Sequence, residues 1–67
     1  MMTPGDVVER VGQIAAVADD DEDAHCKEDH LYIDILQAIA DGEIADAQAC
    51  AREALKVRDM DFSRWCA

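Results

Sequence analysis

Residues 18–30, ADDDEDAHCKEDH, bring carboxylates, two imidazoles and a thiol together in a short run. Cys26 and His30 lie four positions apart, which places two potential zinc ligands on one face of a helix. With His25, and with Cys50 or Cys66 as a further ligand, they are candidates for a structural zinc site that would stabilise a small core. Because neither Cys-x-x-Cys nor His-Glu-x-x-His occurs, the alternative is a buried Cys50 and solvent-facing histidines.

A calcium loop is a second possibility for this run, since Asp19, Asp21 and Asp23 match ligand positions 1, 3 and 5 of an EF-hand. That register places Ala24 where the loop requires glycine, and His30 where it requires a bidentate glutamate. Both mismatches fall at positions on which the loop geometry depends. A solvated run of charge is therefore the alternative to a calcium site.

Nucleophilic catalysis would require Cys26 to be activated by His25 or His30. An adjacent histidine on a helix points away from the thiol, and no orienting third group or oxyanion donor is evident. A chain of 67 residues also has little room for a substrate cleft. We therefore expect a protein that is not an enzyme and that needs no cofactor.

Charge is the most unusual global property, because 16 acids against 6 bases give a net charge of −10. Residues 1–46 hold 13 of the acids and only 2 of the bases. Direct binding to nucleic acid or to anionic membranes is disfavoured, since both are bound chiefly through lysine and arginine. We expect instead a protein partner with a basic surface. A nucleic-acid-binding protein would fit, because carboxylates along a helix can imitate a phosphate track.

The predicted partner-binding surface consists of the carboxylates in and after the acidic run. Its members are Asp19, Asp20, Asp21, Glu22, Asp23, Glu28, Asp29 and Asp34, with Asp41 further along. Two alternatives remain open beside such an interaction protein. One is a self-associating helical module whose acids only keep it in solution. The other is a helical mini-domain stabilised by zinc.

The elements that must position these residues are three helices, predicted over about residues 4–18, 26–41 and 46–58 of a single domain. Thr3 and Asp6 form a capping box around Pro4, Gly42 is a helix stop, and Asp46 is the cap of the third helix. No alternating strand pattern interrupts them. The fold class is therefore all-α, a small three-helix bundle with a short C-terminal segment.

The apolar patterns predict how these helices pack. The second helix is apolar nearly all round and should be enclosed on most sides, as the central helix. Residues 19–24 should form the connection before it, and Gly12 could mark a close approach of two backbones. Ala47, Cys50, Ala51, Ala54 and Leu55 should face inward on the third helix, with Met60, Phe62 and Trp65 closing one end of the bundle.

The expected environment is a reducing cytosol, because three cysteines are an odd number and no export signal is evident. The apolar runs are too short to span a bilayer. We expect a homodimer, since a three-helix monomer of this length has too few elements to cover its apolar residues. The seam would use the stripe Val7, Val8, Val11, Ile14 and Val17, or the C-terminal aromatic residues.

Residues 36–67, LQAIADGEIADAQACAREALKVRDMDFSRWCA, resemble the ends of small acidic proteins encoded by phages and prophages. In these proteins a helix closing on AIADG is followed by an alanine-rich helix and a DF-x-RWCA terminus. The resemblance covers about half the chain and leaves out the acidic run. It implies an accessory protein that binds and modulates a host or phage protein, for example as an inhibitor.

Overall fold

The computed structural model describes residues 1–64, and Trp65 and Cys66 lie outside the described residues. It contains three α-helices, α1 (Pro4–Ala16), α2 (Asp21–Ala40) and α3 (Ala47–Leu55), followed by a 3₁₀ turn at Lys56–Asp59. Within residues 1–64 the only β pairing is one parallel bridge between Met2 and Ile44. The all-α three-helix fold with a short C-terminal segment is confirmed.

Local chemistry sets three of the helix ends where the sequence predicts them. The Asp6 amide donates to Thr3 Oγ1 at 3.2 Å, and the Thr3 amide donates to Asp6 Oδ2 at 2.9 Å, which completes the capping box. Gly42 has φ +68° and ends α2. Asp46 accepts from the Ala49 amide at 3.1 Å and starts α3.

The start of α2 differs from its prediction by five residues. The Asp20 side chain accepts from the Asp23 amide at 3.2 Å and caps the helix, so residues 21–24 are its first turn rather than a connection. Carboxylates in a first turn lie at the positive end of the helix dipole, and this attraction offsets their mutual repulsion. The connection between α1 and α2 is only residues 17–20.

The core lies where the three helices and the C-terminal segment meet. Its buried apolar residues are Val7, Ile14, Ala24, Leu31, Ile35, Cys50, Ala54, Val57 and Phe62. As predicted, Phe62 is buried and Met60 packs against this cluster. Gly12, by contrast, lies in open space, so the expected close approach of two backbones at this position is wrong.

The molecule is thin, with principal extents of 32 × 22 × 14 Å. The prediction that α2 is enclosed on most sides is wrong, because Ile33, Leu36 and Ile39 are exposed. On α3, Ala51 and Leu55 are likewise exposed rather than inward-facing.

Candidate interaction surfaces

The acidic run does become a surface, centred on the capped end of α2. Asp20, Glu22 and Asp23 line a shallow hollow of about 290 Å³ together with Cys26. Lys27 Nζ lies 2.8 Å from Asp23 Oδ1, and this hydrogen bond, with the charge of Asp23, raises the pKa of Lys27. The hollow, which we call the acidic hollow, is open to solvent, and Asp20 and Glu22 are its carboxylates without a lysine or arginine partner within residues 1–64.

Other acids of the run have contacts within the fold. Asp21 Oδ1 accepts from the Ser63 amide at 3.0 Å and so holds the C-terminal segment against α2. Asp29 Oδ2 lies 3.5 Å from His25 Nε2. Asp19 is exposed in the connection before the helix. The predicted surface is thus partly structural even where it faces solvent.

Glu28 does not belong to the surface, because its side chain is only 5% exposed. Arg64 Nε donates to both Glu28 oxygens, at 2.9 and 3.2 Å, and the Tyr32 hydroxyl donates to Oε2 at 3.0 Å. Burial first, and then the hydrogen bond to Glu28, raises the pKa of Tyr32 to about 12. The assignment of Glu28 to partner binding is wrong.

Arg64 organises the end of the described chain around this carboxylate. Its Nη2 donates to the Val57 carbonyl at 2.6 Å, and its Nη1 donates to the carbonyls of Phe62 and Met60 at 3.1 and 3.3 Å. The guanidinium also stacks over the Phe62 ring, 3.9 Å from its centre. One side chain therefore ties the C-terminal segment to α2.

Asp34 and Asp41 occupy a different side of α2 from the core. Asp34 Oδ2 accepts from Arg10 Nη1 of α1 at 2.9 Å. Asp41 accepts from Gln37 Nε2, at 3.1 and 3.2 Å to its two oxygens. Asp34 thus bridges α1 and α2, and its charge is already matched by a cation.

The metal candidates do not converge in the described part of the chain. Among residues 1–64, no group of three or more His, Cys, Asp and Glu side chains is arranged to hold a metal ion. Cys26 and His30 are exposed, whereas Cys50 is buried with its Sγ 3.5 Å from the Ala45 carbonyl. Burial, and then the charges of Asp46 and Asp6, raise the pKa of Cys50. The proposed ligand Cys66 lies outside the described residues.

The calcium alternative fails for a geometric reason. An EF-hand loop must wrap its ligands around the ion in a non-helical backbone. Asp21 and Asp23 instead lie in the first turn of α2, with the chain helical from Asp21 onward. A helical backbone directs these two carboxylates away from a common centre, so the loop that this alternative requires does not form.

The sequence predicts apolar residues that a single chain leaves uncovered, but it assigns the seam to the valine stripe or the C-terminal aromatic residues. In the structure the exposed apolar face lies on α2 and α3. A groove of about 240 Å³ between these helices is lined by Tyr32, Ile35, Leu36, Ala51, Ala54 and Leu55. Next to it on α2, Ile33 is 60% and Leu36 is 66% exposed. The signal in the sequence is the nearly continuous apolar circumference of α2, which predicts enclosure as readily as an exposed face.

Most residues of the predicted dimer seam pack in or against the core of the single chain. Val7 and Ile14 are buried, and Val11 and Val17 pack partly against the core. Phe62 is also buried, while Val8 remains 52% exposed. The valine stripe is therefore a core stripe, and its proposed role as an exposed seam is wrong.

Comparison with protein-family models, curated proteins and solved structures finds no match to this chain. None of the helices within residues 1–64 combines the length and the apolarity needed to cross a membrane.

Proposed function

We propose that this chain is a small acidic interaction protein that binds a protein partner through the acidic hollow. The observation that carries the proposal is the convergence of Asp20, Glu22 and Asp23 on one open depression at the end of α2. A lysine or arginine side chain of a partner can enter such a depression and meet carboxylates on several sides. The resemblance to phage-encoded proteins implies modulation or inhibition of a host or phage protein, and the odd number of cysteines favours a reducing cytosol as the place of binding.

The acidic surface that is free to bind a partner is smaller than the predicted one. Arginine partners remove Glu28 and Asp34 from it, Lys27 pairs with Asp23, and Asp21 accepts from the Ser63 amide. Of the acids in residues 18–30, those with no lysine or arginine partner and no contact with the C-terminal segment within residues 1–64 are Asp19, Asp20, Glu22 and Asp29, near one end of the molecule. This is a compact anionic site rather than a track along a helix. It favours recognition of a local basic cluster, and a nucleic-acid-binding protein remains one partner class with such clusters.

Capture from a bacterial lysate tests the proposal with a matched pair of variants. D20N/E22Q removes two charges from the acidic hollow and keeps the cap, because asparagine caps helices as well as aspartate does. E9Q/E43Q removes two exposed charges elsewhere, so both variants change the net charge from −10 to −8. We expect wild type and E9Q/E43Q to retain the same partner, and D20N/E22Q to lose it.

The effects of salt and of duplex DNA on retention show whether charge holds the partner and which class of protein the partner belongs to. Retention should weaken as the screening length falls from about 10 Å at 0.1 M salt to about 3 Å at 1 M. Competition by duplex DNA would identify the partner as a nucleic-acid-binding protein. Equal retention by both double variants, or no specific retention at low salt, would contradict the proposal.

A further inference from the structure

The acidic hollow and the groove between α2 and α3 are joined by one exposed stripe of α2. Its members recur at alternating intervals of four and three residues, a spacing that places them on one side of a helix. All of them are exposed, and they are Glu22, Cys26, Asp29, Ile33, Leu36 and Ala40. Glu22 and Cys26 line the acidic hollow, and Leu36 lines the groove. We call this stripe the α2 ridge.

The chemistry of the α2 ridge changes along its length. Its first half is acidic, and neither Glu22 nor Asp29 forms an ion pair with a lysine or arginine of residues 1–64. His25 Nε2 lies 3.5 Å from Asp29 Oδ2. The second half is apolar, with Ile33 60% and Leu36 66% exposed. Leu36 follows Glu22 by 14 residues, which at about 1.5 Å per residue is about 21 Å. A surface that covers this length must therefore be basic at one end and apolar at the other.

A second copy of the chain does not present this complementary order. Parallel pairing of two ridges sets the acidic halves against each other, where like charges repel. Antiparallel pairing sets each acidic half against an apolar half, which takes carboxylates out of water without giving them a partner. Nucleic acid and anionic membranes are repelled by the acidic half as well. The surface that fits the α2 ridge belongs to a protein with basic and apolar side chains in one line.

We propose that the partner bound at the acidic hollow presents an amphipathic helix that lies along the α2 ridge. Its basic side chains cover Glu22 and Asp29, and its apolar side chains cover Ile33 and Leu36. The inference rests on the proposed function and deepens it by naming the form of the partner. A helix fits because its own side chains, at intervals of three and four residues, pack between those of a ridge with the same spacing. The apolar half supplies the affinity that exposed ion pairs alone do not provide.

Two synthetic helical peptides of about 20 residues, which span about 30 Å, test the ridge directly. The test peptide has arginines in one half and leucines in the other half of a single face. The control peptide has the same composition, with the arginines and the leucines on opposite faces. In isothermal titration calorimetry we expect the test peptide to bind the wild-type chain at least about tenfold more tightly than the control. Equal binding of the two peptides, or binding of neither, would overturn the inference.

Matched variants locate the bound peptide on the ridge. L36Q removes an apolar side chain from the ridge, and V8Q removes one of similar exposure from α1. The dissociation constant of the test peptide should rise about tenfold or more in L36Q, because the burial of one leucine is lost, and should be unchanged in V8Q. Equal effects of L36Q and V8Q would overturn the inference.

Circular dichroism shows whether each variant still folds, and I33Q repeats the test at a second ridge position if L36Q does not. Light scattering identifies a competing occupant. A wild type of twice the 7.4 kDa chain mass that L36Q reduces to a single chain would assign the ridge to a second copy, and would overturn the inference.

Retention of the lysate partner by L36Q separates this inference from the proposed function. We expect L36Q to lose the partner, as D20N/E22Q does, while V8Q retains it. Loss in D20N/E22Q with full retention in L36Q would overturn the helix along the ridge and leave the acidic hollow as the binding site. Loss in L36Q with full retention in D20N/E22Q would overturn the proposed function, and the inference with it.

Discussion

Arg64 and Glu28 form the ion pair with the most buried carboxylate in the described chain. Removal of one partner from a buried ion pair leaves an uncompensated charge, which typically costs about 3–5 kcal/mol. The Arg64 side chain is still 32% exposed, so we expect R64A to lower the unfolding free energy by about 2–3 kcal/mol. Urea denaturation measures this loss. R52A, at an exposed arginine of α3, is the control and should change it by less than about 0.5 kcal/mol.

A second variant keeps this prediction testable if R64A is too unstable to study. E28M/R64M replaces both charges by apolar side chains of similar length, and such replacements of buried pairs are often neutral. We expect the double variant to be clearly more stable than R64A. A double variant as unstable as R64A would mean that the other contacts of the two side chains, rather than their ion pair, provide the stability. These contacts are the carbonyls bound by Arg64 and the Tyr32 hydroxyl bound by Glu28.

Tyr32 makes stability depend on pH in the alkaline range. Its pKa is raised from 10.0 to about 12 in the folded chain, chiefly by burial and then by Glu28. Below pH 10 both folded and unfolded chains hold the neutral phenol, so stability is unaffected there. Between pH 10 and about 12 the unfolded chain loses the proton first, and unfolding becomes more favourable.

Phenolate absorbance reports this titration directly, because Tyr32 is the only tyrosine in the chain. E28Q should move the pKa of Tyr32 downward but leave it above 10.0, since burial remains. In Y32F the unfolding free energy should fall less between pH 10 and about 12. A titration of Tyr32 at its ordinary pKa in the folded chain would contradict both the burial of the phenol and its hydrogen bond to Glu28.

Replacing glycine by alanine should lower the stability of the fold at a helix end and raise it inside a helix. Gly42 has φ +68° after α2, where a side chain is strained, so G42A should cost about 1–2 kcal/mol. Gly12 is helical, and no neighbouring atom lies within 4 Å of the position that a Cβ would take, so G12A should add about 0.5–1 kcal/mol. Thermal unfolding compares the two variants. A destabilising G12A would reveal a contact at Gly12 that the fold does not show.

Asp46 tests the cap of α3 in a similar way. It combines a left-handed backbone, φ +53°, with a side chain that accepts from the Ala49 amide. D46N preserves both properties and should be nearly neutral, whereas D46A loses the cap and should cost about 1–2 kcal/mol. Equal stability of the two variants in urea denaturation would show that the cap does not support α3.

Features that depend on interactions between residues close in the chain are mostly predicted correctly from the sequence. Thr3, Gly42 and Asp46 act within a few residues of themselves, and the sequence predicts their roles correctly. Asp20 is equally local, but the repulsion among its acidic neighbours is outweighed by the helix dipole, which the charge pattern alone does not reveal. The predicted start of α2 is therefore five residues late.

Interactions between distant residues explain what the sequence could not supply. Arg64 meets Glu28 across 36 positions, and no local pattern marks the pair, so the sequence assigns Glu28 to the surface. The apolar content of α2 is evident, but which sides its neighbours cover depends on how three helices pack. The acidic hollow is predicted in part, because neighbouring carboxylates at the start of a helix stay together whatever the packing.

At the scale of the whole molecule, repulsion within a chain of net charge −10 opposes the limited stabilisation that a small core provides. Self-repulsion destabilises a compact state, and salt screens it. The ion pairs that salt also weakens, such as Lys27 with Asp23, are mostly exposed and contribute little. We therefore expect the unfolding temperature to rise with salt, by about 4–8 °C for each kcal/mol of repulsion relieved.

The E9Q/E43Q variant tests this dependence, because it changes the net charge from −10 to −8 and should make the rise with salt smaller. A fall in unfolding temperature with salt would mean that pairs such as Arg10 with Asp34, at 2.9 Å, outweigh the repulsion. The acids would then be a net source of stability for the fold, and removing exposed ones would destabilise it.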